Sequence, residues 1–71
     1  MKREVAQQIE PVLREAFSLV NKTTAISKEQ DSEEAFVEYR GEAAQVMGQM
    51  FFLMEKLYKE FPDLMPESFK D

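Results

Sequence analysis

Between residues 3 and 21 apolar side chains recur every three or four positions. Val5, Ala6, Ile9, Val12, Leu13, Ala16, Phe17, Leu19 and Val20 share one arc of a helical wheel. Arg3, Glu4, Gln7, Gln8, Glu10, Arg14, Glu15, Ser18 and Asn21 fill the remainder. That segregation predicts an amphipathic helix over 3–21. Pro11 lies on the polar side. An interior proline removes a backbone hydrogen bond and crowds the preceding turn. On an outer face, however, it lets the helix curve around its apolar side. The apolar arc keeps its register across Pro11, so one bent helix is expected. The competing possibility is a helix that opens at the proline.

Asn21 followed by Lys22 is a helix-stop signal: a residue tolerant of left-handed geometry, then a cation beside the last carbonyls. Residues 22–31, KTTAISKEQD, are therefore expected to form a connection anchored by Ile26. Ser27 with Gln30, and Asp31 with Glu34, both have capping-box spacing. They allow the next helix to begin anywhere from Lys28 to Ser32.

A second amphipathic pattern then runs over 32–61. Its apolar arc holds Ala35, Phe36, Tyr39, Ala43, Val46, Met47, Met50, Phe51, Leu53, Met54, Leu57, Tyr58 and Phe61. Glu34, Glu38, Glu42, Gln45, Gln49, Lys56 and Glu60 lie opposite. Pro62 ends it, because the residue before a proline is pushed out of the α region. Residues 62–71 carry Leu64, Met65 and Phe69 between prolines and are expected to dock as an arm. The predicted fold is all-α: a helical hairpin with a docked C-terminal arm.

Within the second helix, residues 46–54 (VMGQMFFLM) are apolar on nearly every side. A helix of that kind must be covered on nearly every side. The first helix, predicted to be the shorter, cannot cover the longer one along its whole length. A second copy of the chain is the simplest cover, and two hairpins make a four-helix bundle.

Several residues are candidates for that interface: Arg40, Gly41, Ala44, Gly48, Phe51, Phe52, Met54 and Tyr58. Arg40 falls inside the apolar arc. It can snorkel to an edge, pair with an acid of another chain, or hold a carboxylate or phosphate in its fork of donors. Gly41, Ala44 and Gly48 share one flank. Each helical glycine costs about 1 kcal/mol relative to alanine, which points to close approach by another backbone or ring. Every other large apolar residue of this helix lies in or beside the arc, whereas Phe52 points among polar residues, with Gly48 one turn earlier. Met47, Met50 and Met54 fall at core positions, where methionine fills irregular space.

Composition narrows the chemistry. The 71 residues include neither cysteine nor histidine, so disulfides, thiolate metal sites and the commonest general base are absent. The four glutamates Glu33, Glu34, Glu38 and Glu42 could invoke a carboxylate-bridged metal bundle. Such bundles add a Glu-x-x-His pair, and these glutamates fall on the solvent side. No cofactor or metal is expected. Fourteen acids against nine bases give a net charge of −5, which disfavours nucleic acid and anionic membrane as partners. A transmembrane span needs about 20 apolar residues, and acids throughout the first helix exclude a signal-peptide core. A cytoplasmic location follows as the expectation. The expected function is a small non-catalytic interaction or regulatory protein acting as a homodimer. The alternative is a bundle enclosing an apolar small molecule between its helices.

Overall fold

The structure, a computed structural model, describes residues 1–69. Two antiparallel helices dominate it: α1 (Arg3–Gln30) and α2 (Glu33–Glu60). Two single-turn 3-10 helices, Pro62–Leu64 and Glu67–Phe69, follow as the C-terminal arm. The fold is thus an all-α helical hairpin. The arm folds back on the open end, where Leu64, Met65 and Pro66 are half-buried. Phe69 sets its ring edge against Tyr58, with centroids 6.2 Å apart. The last two residues assigned to the arm, 70 and 71, lie outside the described residues.

The expected connection over 22–31 is corrected. α1 runs on through Gln30, and only Asp31 and Ser32 join the helices. The stop signal at Asn21 fails because no glycine or proline follows it to end the helix. The hydroxyls of Thr23 and Thr24 bond back to the carbonyls of Val20 and Asn21, at 2.6 and 2.7 Å, and so stay within the helix. The period of burial also continues: Val20, Thr24 and Ser27 remain half-buried. α2 starts where Ser32 caps it, its hydroxyl accepting from the Ala35 amide at 3.1 Å. Glu33 and Glu34 in the first turn complement the positive end of the helix dipole. Pro11 sits inside α1 on its exposed side, and the helix continues past it.

With α1 and α2 both 28 residues long, the expectation of a short helix against a long one is also overturned. What the hairpin leaves uncovered is a face, not an end. The molecule measures 45 × 23 × 17 Å. A helix with its side chains is about 10–12 Å across, so the two helices form a single layer with both broad sides open. Each helix buries one stripe against the other. On α1 it follows Ala6, Glu10, Leu13, Phe17, Val20, Thr24 and Ser27; on α2 it follows Phe36, Ala43, Met47, Met50, Met54, Leu57 and Phe61. Steps of three and four residues, with a single step of seven from Phe36 to Ala43, are the seam of a left-handed helix pair. Among the described residues no helix is long and apolar enough to cross a membrane.

Candidate functional site

A two-helix layer buries one narrow seam, whereas the sequence supplies apolar arcs much wider than that. The surplus emerges on the two broad sides. Val5, Val12, Leu19 and Ile26 are all exposed along α1, at every seventh position, with Val12 at 65%. On α2, Tyr39, Val46 and Leu53 are exposed at the same interval. Seven of the residues expected in the core are thus outside it: Val5, Val12, Leu19, Tyr39, Val46, Phe51 and Leu53. Their apolar partners in the arcs, such as Leu13, Phe17, Met50 and Met54, won the seam positions.

The stripes on α1 and α2 border the same side of the layer. Near the turn the Tyr39 hydroxyl donates to Thr23 Oγ1 at 2.7 Å. Two heptads away, Ile9, Leu13, Leu53 and Leu57 wall a half-open apolar groove of about 350 Å³, with Lys56 and Glu60 at its rim. At the turn end a shallower depression is bordered by Asp31, Glu38 and Glu42. The apolar side therefore has an acidic end and an end where Lys56 stands beside the paired Met1 amino group and Glu60.

The opposite side holds a buried polar cluster. Glu10, expected on the solvent face, is only 5% exposed. Its carboxylate accepts from the Tyr58 hydroxyl at 2.7 Å and from Arg14 Nη2 at 3.2 Å. No local pattern marks Glu10 for burial, because the tyrosine that receives it is far away in sequence. Burial, and then the hydrogen bond to Glu10, push the Tyr58 phenol above its ordinary 10.0. Paired carboxylate and phenol satisfy each other, which removes the main cost of burying them.

Of the candidate interface residues, Met54 and Tyr58 are consumed by the hairpin's own core. Arg40 places its guanidinium over the Phe36 ring, 5.4 Å from the centroid, with the residue itself exposed. Apart from their own helix backbone, Gly41 and Gly48 have no atom within 4 Å of where a Cβ would stand, so no other part of the hairpin packs closely on them. Ala44, Phe51 and Phe52 are exposed on the same helix, Phe52 at 64%. Glu33, Glu34, Glu38 and Glu42 are also exposed.

Among the described residues two ion pairs tie the open end. The Met1 amino group meets Glu60 at 2.8 Å, and Arg3 meets Asp63 at 2.7 Å while lying over the Phe61 ring. The hydrogen bond from Arg3 holds the Asp63 carboxyl below its ordinary value. Glu55 and Lys59 form a one-turn surface pair at 3.1 Å. Among the described residues no three carboxylates converge on a common point that could hold a metal. No family model, curated protein or solved structure matches the chain.

Proposed function

We propose that the chain is a small, non-catalytic, cytoplasmic interaction protein that acts as a homodimeric four-helix bundle. One observation carries this reading: exposed Val5, Val12, Leu19 and Ile26 at heptad spacing on α1, beside exposed Tyr39, Val46 and Leu53 at the same spacing on α2. A heptad of apolar residues is how one helix addresses another. Here both helices have already used one such seam on each other and offer a second. The opposite flank of α2, with Gly41, Ala44, Gly48, Phe51 and Phe52, is then available to a further protein, which gives the dimer an adaptor's layout. The carboxylates are exposed or spent in ion pairs, and the buried phenol is held protonated, so the polar groups serve structure. Sedimentation equilibrium of the purified chain tests the reading: a mass of twice 8.3 kDa supports it, and a stable folded monomer at micromolar concentration contradicts it.

A second reading rests on the groove between Ile9, Leu13, Leu53 and Leu57. Its volume of about 350 Å³ lies at the small end of the range of ligand pockets. An apolar molecule could lie there with a carboxylate near Lys56. Native mass spectrometry of the protein as purified distinguishes this case by a bound mass that is released on denaturation.

A further inference from the structure

We infer that the second copy docks on the α1–α2 side bearing Val12, Leu19 and Val46, around a two-fold axis that passes level with Ala16 and runs across the layer. The inference rests on the homodimer reading above and specifies its surface and symmetry. Three observations converge on it.

The first is area. A folded 8.3 kDa monomer exposes about 4,600 Å² on the usual scaling with mass, whereas this chain exposes 5543 Å². The excess, roughly 1,000 Å², comes from the single-layer shape. It is close to the ~800 Å² that each partner contributes to a standard interface.

The second is the pattern itself. Tyr39 and Thr23 are level, since they are hydrogen-bonded; Ile9 and Leu53 are level, since they wall one groove. Ala16 and Val46 lie one heptad from each pair, about 10.5 Å at 1.5 Å per residue. The side is therefore a ladder of three rungs with its smallest residue, Ala16, in the middle. Reversing the ladder about that rung sets Val12 over the partner's Leu19 and Val5 over the partner's Ile26. It also sets the half-exposed ring of Tyr39 over the partner's open groove beside Leu53. A ring meets a cavity, and the centre brings two alanines together, which lets the two α1 helices approach closely. An isologous interface requires this self-complementarity.

The third is charge. The turn end of this side carries Asp31, Glu38 and Glu42, whereas at the groove end Glu60 is paired with the Met1 amino group and Lys56 stands beside them. The antiparallel arrangement lays the acidic end of one copy over the lysine end of the other. A parallel arrangement stacks the acidic ends together, where like charges repel.

The chain has no cysteine, so single-cysteine variants report the arrangement cleanly. Ala16→Cys places two thiols beside the proposed axis, and a disulfide between them requires a Cα separation of about 4.4–6.8 Å. Under mild oxidation it should yield a covalent dimer at low micromolar concentration, and Val46→Cys should do the same should Ala16→Cys fold poorly. Phe52→Cys should not. Tyr39→Ala should raise the dimer dissociation constant tenfold or more while leaving the helical circular dichroism of the dimer unchanged. Two outcomes overturn the inference in different ways. Dimeric mass with crosslinking only through Phe52→Cys, or through none of the three, leaves the homodimer standing and refutes this surface. A monomeric parent at every concentration refutes the homodimer and this surface with it.

Discussion

The open end of the hairpin and its turn end are built from the same two helices, yet they differ sharply in burial. Ala6, Glu10, Met54, Leu57 and Tyr58 are all buried near the open end, whereas Ala43 is the one buried residue among the described residues of the turn half. The difference comes from what lies across the helices. At the open end the arm adds a third element: Phe69 against Tyr58, half-buried Leu64 and Met65, and Arg3 bridging to Asp63. At the turn end the Arg40 guanidinium lies over the half-buried Phe36 ring, and Tyr39 stays 42% exposed. Two helices in one layer do not make a core. The chain makes half of one with its arm, and in the proposed dimer the second copy completes the other half.

The strongest way to break that comparison is truncation at matched positions. Met54→Ala, at a side chain 1% exposed, should cost about 2–5 kcal/mol as a buried methionine does. Met47→Ala, one heptad nearer the turn and half-buried, should cost distinctly less in chemical denaturation at low protein concentration. Equal losses would mean that the two ends are equally packed.

Next in size is Tyr58→Phe. It leaves the buried Glu10 carboxylate with Arg14 as its remaining donor and one oxygen unpaired, at about 1–3 kcal/mol. The pH dependence gives a separate signature. The folded chain holds the Tyr58 proton after the unfolded chain has released it, since the folded value lies above 10.0. Its contribution is therefore complete below about pH 10 and falls as the pH rises beyond that. Alkaline titration of the melting temperature should show a drop in the parent that is smaller in Tyr58→Phe.

The arm's share is smaller again. Phe69→Ala removes one edge-to-face pair, worth about 0.5–1.5 kcal/mol. It should raise amide exchange around Tyr58 and leave exchange around Tyr39 as it was. Smallest of all is Phe52→Ala. With the ring 64% exposed and outside the hairpin core, the change in stability should stay within about 0.5 kcal/mol, as for most surface substitutions. A loss of several kcal/mol in the melting curve would instead place Phe52 in a subunit interface.

These residues also show what the sequence discloses and what it hides. Period and punctuation gave both helices, the stop before Pro62 and the docked arm, because those features are local. The helical course of residues 22–30 was hidden because Asn21 and Lys22 resemble a stop, while Thr23 and Thr24 satisfy carbonyls without leaving the helix. A wheel separates apolar from polar residues, but it does not say which part of a wide apolar arc faces the chain's own second helix. Leu13 and Phe17 took that place on α1, and Val12 and Leu19 did not. The seven-residue interval of Val5, Val12, Leu19 and Ile26 was nevertheless present in the sequence as a distinct stripe. Glu10 could not be found in this way, because its burial depends on Tyr58 arriving from the far end of the other helix. Arg40 was marked by its position in the arc, and its stacking on Phe36 accounts for it within one chain.

The most direct test of the central claim is sedimentation equilibrium of the unmodified chain, run from sub-micromolar to about 100 µM. A single self-association that reaches twice the 8.3 kDa chain mass, and that Leu19→Asp abolishes, is the predicted result. A folded monomer of 8.3 kDa across the whole range, melting at a temperature independent of concentration, would contradict the account.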